Sequence, residues 1–222
     1  MKTQFKTELG ISIALLTAFV LWTIAVCFVD VQPIGPQQSA VGLASFNGFV
    51  HQLTGVHIGL YTLTDWLGLV PFGICGGFGI VGLWQWIRRK SLLRVDFDIL
   101  MLGVFYILTI GTYLFFETVV INHRPVLIEG VLEASYPSST TLLVLCVMPT
   151  AAMQFHHRLV RPWLRRLAVA VIMVFMVFMV VGRWLSGVHW TSDILGGALF
   201  SAGLVTMYHA VGFITPSWRK NQ

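Results

Sequence analysis

The sequence predicts an all-α integral membrane protein, a bundle of six transmembrane helices forming a single domain over residues 1–222. Three observations carry that reading. Only 10% of the 222 residues are Asp, Glu, Lys or Arg, against about 25% in an average soluble chain. Hydrophobic types make up 56% of the chain and mean hydropathy is +0.80. That is more apolar surface than one small core can bury, so most of it must face lipid. Finally, six apolar runs are each long enough to cross a bilayer core of about 30 Å at about 1.5 Å per residue. A water-soluble globule is excluded, and the net charge of +5 is read by the position of its cations rather than as a nucleic-acid footprint.

The runs are Ile11 to Val29, Trp66 to Ile87, Ile99 to Ile121, Ser139 to Phe155, Leu164 to Leu185 and Ile194 to Ile214. The first is followed by no small-residue cleavage site, and Val26 stands where a lipoprotein signal needs a small residue, so it is expected to be retained as a helix. Between the first two runs, Asp30 to Asp65 forms a connection opened by Pro33, Gly35 and Pro36. Within it Val41, Leu43, Phe46, Phe49, Val50 and Leu53 recur at helical spacing, as in a helix lying in the membrane interface or in a folded loop covering the bundle. Cys27, Cys75 and Cys146 lie in apolar runs without metal-ligand spacing and read as small core residues.

Charge orders the connections. Lys2 and Lys6, then Arg88, Arg89, Lys90 and Arg94, then Arg158, Arg161, Arg165 and Arg166, and last Arg219 and Lys220 flank the runs on one side, twelve of fourteen cations in all. By the positive-inside rule that side is cytoplasmic, with both termini there. Arg124 and Arg183 alone fall on the other side, each at the end of an apolar run, where a cation has no topological role and a desolvation cost.

Those two arginines mark a site. Asn122-His123-Arg124-Pro125, then Tyr136-Pro137-Ser138-Ser139-Thr140, then Arg183 through His189 to Asp193 all converge on the outer face. Singly, each has a structural explanation: snorkelling of Arg124, capping by Ser138, a His189–Asp193 pair one turn apart. Together they supply guanidiniums that match phosphate oxygens, a serine-rich helix N-terminus with free backbone N–H groups, and a histidine that a carboxylate can orient as a nucleophile. That equipment suits phosphoryl transfer without a metal or other cofactor.

These residues resemble the three motifs of the type 2 phosphatidic acid phosphatase family, whose membrane members have six helices with the motifs on the extracytoplasmic side. Arginine, five residues, histidine, three residues and aspartate stand as Arg183, His189 and Asp193; the Arg-Pro of the first motif is Arg124-Pro125; the serine of the second is Ser138. The resemblance covers nearly the whole chain. It implies catalysis by His189, forming a phosphohistidine, and Asp193, with phosphate held by Arg124, Ser138 and Arg183. The partner it implies is a membrane lipid substrate, in a multi-pass protein of a cell membrane; small size and short loops favour a bacterial plasma membrane.

Two positions depart from the pattern. Glu117 stands where the first motif opens with lysine, and Thr140 where the second ends in the histidine that serves as general acid. Glu117 is expected to pair with Arg124, seven residues on and so on the same helical face. Loss of an acid worth about 10² to 10⁴ in rate weighs on an alkoxide leaving group, with a conjugate acid near pKa 15.7, far more than on a phosphate, near 6. Diphosphate lipids, polyprenyl diphosphates above all, are the favoured substrates. His123 is the possible surrogate acid, while His51, His57, Glu129 and Glu133 read as solvated and Trp66, Trp184 and Trp190 as interface anchors. A lipid phosphotransferase and a catalytically inactive lipid- or partner-binding descendant remain as alternatives.

Overall fold

The computed structural model describes residues 2–214, among which eight α-helices follow one another: α1 (Lys2–Phe28), α2 (Ala44–Thr54), α3 (Ile58–Leu67), α4 (Leu69–Arg89), α5 (Phe97–Thr118), α6 (Ser139–Arg158), α7 (Pro162–Leu185) and α8 (Thr191–Ile214). Arg219 and Lys220 lie outside the described residues. Among the described residues, five stretches are long and apolar enough to cross a membrane: Thr3–Phe28, Ile58–Arg89, Phe97–Thr118, Pro162–Leu185 and Thr191–Gly212.

The fourth expected run is helical, as α6, but it is not among those five. Its position explains its lower hydropathy. Leu142, Cys146 and Val147 pack with Leu102 and Phe105 of α5 and Leu204 of α8, while Val144, Met148 and Ala151 pack with Ile172 and Met179 of α7. A helix wrapped by neighbours need not be greasy all round, because its polar groups find partners inside the bundle. Thr150 donates to the Tyr106 hydroxyl at 3.4 Å, and the Gln154 amide donates to the Tyr208 hydroxyl at 3.0 Å.

Helices α1 and α8 run antiparallel. The Ser12 hydroxyl donates to Gly203 O at 2.8 Å, and the Trp22 indole N–H donates to Ser192 O at 3.0 Å. One end of the bundle therefore gathers the start of α1, the end of α8 and the α4–α5 turn, where Arg89 pairs with Asp96 at 2.8 Å and Arg158 of α6 with Asp98 at 2.6 Å. The other end carries the candidate site.

Two connections differ from expectation. The apolar positions after Gly42 do form a helix, α2, with Phe46, Phe49 and Leu53 outward and exposed. Val41 is instead fully buried and bridges Gln32 ahead of that helix. Gly42 is required there, since a Cβ would lie 1.6 Å from Val26 O. The second run begins not at Trp66 but at Ile58, because Thr64 is buried against the bundle and Asp65 meets an arginine. Hydropathy ends a span at such polar residues; the helix continues because they have partners.

Helix α8 owes its start to α2. Asn47, fully buried, accepts from the Ser192 backbone N–H at 3.1 Å and donates to the Ser192 hydroxyl at 2.9 Å. Asp193 accepts from the Trp190 N–H at 3.0 Å, the reciprocal half of a capping box. Two backbone donors of the helix start, the Trp190 and Ser192 N–H groups, are thereby satisfied.

Candidate active site

After α5 ends at Thr118 the chain leaves helical geometry and folds into a short antiparallel hairpin. His123 bridges Ala134 and Ile128 bridges Val131, around Glu129 (φ 51) and Gly130 (φ 80). Positive φ at both turn residues is what a tight two-residue hairpin needs. The Arg124 N–H donates to Glu133 O at 3.1 Å, and the Ser135 N–H donates to Asn122 O at 2.9 Å. This hairpin corrects the expected Glu117–Arg124 pair: a spacing of seven aligns two residues only if the helix runs through both. Arg124 Nε pairs instead with Glu133 at 3.1 Å, and Glu117 makes no ion pair among the described residues.

Helix α7 carries Arg183 at its C-terminal end and breaks at Gly187, whose φ of +69 and close approach, a Cβ being 1.9 Å from Gly55 O, admit only glycine. The turn is pinned by the His57 N–H donating to Ser186 O at 2.9 Å. It delivers His189, 3% exposed, to the hairpin. There the ring does not touch Asp193 directly. Ser135 stands between them, its Oγ 3.0 Å from His189 Nδ1 and 2.5 Å from Asp193 Oδ2.

The direction of this relay sets the tautomer. An ionised carboxylate only accepts, so the Ser135 hydroxyl donates to Asp193 and must accept from His189 Nδ1–H. Ser135 O, 3.2 Å from the same nitrogen, also requires a donor there. The proton thus sits on Nδ1, and Nε2 carries a lone pair. Nε2 is buried and has no hydrogen-bond partner among the described residues. Asp193 is held in turn by Asn122 at 3.4 Å and by the Ser192 hydroxyl at 3.2 Å.

Burial, and then the positive charges of Arg124 and Arg183, hold His189 well below the usual histidine range, so the ring is neutral at neutral pH. An unfolded histidine binds its proton near pH 6.5. The unfolded state therefore binds more protons below that pH, and the folded state loses stability as pH falls from about 6.5 toward the folded value. The expected result is that wild type loses more stability than His189→Gln between pH 7.5 and 5.5, by up to about 1.4 kcal/mol per pH unit. Unfolding in detergent at the two pH values checks this; equal losses in both proteins would contradict it.

Arg183 is 1% exposed and pairs with Asp65 at 3.3 Å. The ring of Tyr61 lies 4.7 Å from the Arg183 guanidinium carbon and 5.6 Å from that of Arg124, bringing both cations to one aromatic surface. Like His189 Nε2, the Arg183 Nε and Arg124 Nη1 atoms are buried without partners. Both arginines line a cavity of about 640 Å³ together with Asp65, Glu117, His123, Glu133 and Thr140.

The remaining expected residues divide. Ser138 stands at the N-terminus of α6 without a side-chain capping bond and is fully buried: its hydroxyl accepts from Thr141 at 3.0 Å, and the cavity is lined by Ser139 and Thr140 instead. His189 does not itself line that cavity. His51 packs on the Trp190 ring at 5.3 Å outside the cavity. Trp190, expected as an interface anchor, is 3% exposed, and its indole N–H donates to His123 O at 2.8 Å. Ser135 and Tyr61 carried no motif signal, whereas Asp65, a lone carboxylate bordering an apolar run, was a detectable one.

No known family profile and no curated protein matches the sequence. A crystal structure of a transmembrane PAP2-type phosphatidylglycerolphosphate phosphatase from Bacillus subtilis matches in three dimensions, with a TM-score of 0.51 and 22% identity, over 91% of this chain and 95% of that one. The chain is an all-α membrane bundle with the fold of a transmembrane PAP2-type phosphatase.

Proposed function

We propose that this chain is an integral membrane lipid-phosphate hydrolase, favouring polyprenyl diphosphates, that works through a phosphohistidine on His189. In this reading α6 crosses the membrane with the five candidate spans, both termini are cytoplasmic, and the site opens on the extracytoplasmic face. The observation that carries the reading is the trio of buried, partnerless nitrogens: Arg124 Nη1, Arg183 Nε and His189 Nε2. Such groups are costly to leave unmet, and a phosphoryl group satisfies the two donors with its oxygens and the lone pair with its phosphorus. His189 Nε2 attacks the terminal phosphorus, and the Ser135–Asp193 relay stabilises the charge that develops on the ring. Arg124 and Arg183 take the equatorial oxygens, and Ser138 sets the N-terminus of α6 beside them. His123, on the cavity wall, is placed to pass a proton to a departing group.

One observation favours a second reading, a non-catalytic lipid- or partner-binding protein: Asp65 and Glu133 of the chain itself already engage the two arginines. The deciding experiment is phosphate release in detergent from phosphatidic acid, phosphatidylglycerolphosphate and a polyprenyl diphosphate, with acid-labile labelling of the protein measured alongside. Labelling and fastest release with the diphosphate are expected. Neither labelling nor release from any of the three would leave the non-catalytic reading.

A further inference from the structure

Glu117 occupies a place that the hydrolase reading leaves without a task. It ends α5 facing the 640 Å³ cavity with both arginines, yet the other two carboxylates on that wall, Asp65 and Glu133, are taken up by Arg183 and Arg124. Glu117 also lines a second, much smaller cavity, of about 10 Å³, with Ser135, Ser139 and Tyr136. That volume is about the room of one water, and the two serines and the carboxylate are the polar partners such a water needs. Glu117 is the one carboxylate that lines both spaces, and Ser135 in the small one is the residue that bonds His189 and Asp193.

Resting on the phosphohistidine reading, we propose that Glu117 is the general base that activates the water hydrolysing the phosphorylated His189. The position suits an acceptor: a carboxylate outside any ion pair among the described residues, beside a water-sized space, can take a proton, whereas a protonated lysine cannot. In the step, the Glu117 carboxylate removes a proton from the water as its oxygen bonds to phosphorus. The bond between phosphorus and His189 Nε2 breaks, and its electron pair returns to the nitrogen. Inorganic phosphate leaves, and the Glu117 carboxyl gives its proton to solvent. The first half-reaction needs no help from Glu117, because His189 Nε2 already carries its lone pair and a departing phosphate is a good leaving group.

The test is rapid-mixing kinetics of wild type, Glu117→Gln and Glu117→Asp with a polyprenyl diphosphate, following labelled phosphohistidine and released phosphate separately. Glu117→Gln is expected to form phosphohistidine within about threefold of the wild-type rate and to release phosphate about 10² to 10⁴ more slowly, so that label accumulates toward one per chain. Glu117→Asp is expected to recover part of the release rate. A Glu117→Gln protein that slows labelling and release alike, or releases phosphate at the wild-type rate, overturns the assignment while leaving the phosphatase reading intact. A wild-type chain that never becomes labelled overturns both.

Discussion

His189→Gln is expected to abolish turnover, lowering phosphate release from a polyprenyl diphosphate by about 10⁴-fold or more, the scale seen when a nucleophile is removed from a cooperating set. Glutamine is chosen because its amide can still donate to Ser135, so the hairpin and the α7–α8 turn keep their contact. The protein should insert and unfold as wild type does at neutral pH. Two readouts separate chemistry from folding: release and acid-labile label vanish together, while the unfolding temperature at pH 7.5 changes little. Release from His189→Gln within tenfold of wild type would remove the covalent mechanism, because no other partnerless imidazole nitrogen among the described residues is buried beside both arginines.

Asp193→Asn should be the next most damaging change. The Oδ2 position accepts from the Ser135 hydroxyl and from the Trp190 backbone N–H, a donor that cannot rotate away. The amide oxygen of asparagine must therefore take that position, and the Nδ1–H tautomer of His189 survives. Two things are lost. The negative charge that stabilises a cationic phosphorylated ring disappears, which should lower kcat by about 10² to 10³. The new NH₂ also faces the Asn122 amide and the Ser192 hydroxyl, where Asp193 now accepts, and opposed donors in a buried place should cost about 1 to 3 kcal/mol. Steady-state kinetics with thermal unfolding in detergent tests both; kcat within threefold of wild type would show that the relay charge takes no part.

The membrane class, the boundaries of most helices and the positions of Arg183, His189 and Asp193 around the α7–α8 turn are legible from composition and spacing. Those signals are local, since hydropathy reports contact with lipid and a motif reports residues fixed by chain distance. The same locality explains the misses. The hydropathy of α6 falls below that of the five candidate spans because it packs against α5, α7 and α8, and hydropathy places the start of the second span after Asp65 because that residue's partner, Arg183, is far away in sequence. Glu117 and Arg124 do not pair because the helical repeat stops at Thr118 and the chain enters a hairpin that turns at Glu129-Gly130.

Sequence by itself determined that this chain lives in lipid, that its cations gather on one side, and that two arginines and a histidine break the pattern on the other. Only tertiary structure decided that Ser135 mediates between His189 and Asp193, that Tyr61 brings the two guanidiniums to one ring, and that Glu117 stands between two cavities. The physical reason is that burial and hydrogen-bond direction belong to sets of residues from different helices. Neither can be assigned to a residue until packing has chosen its neighbours.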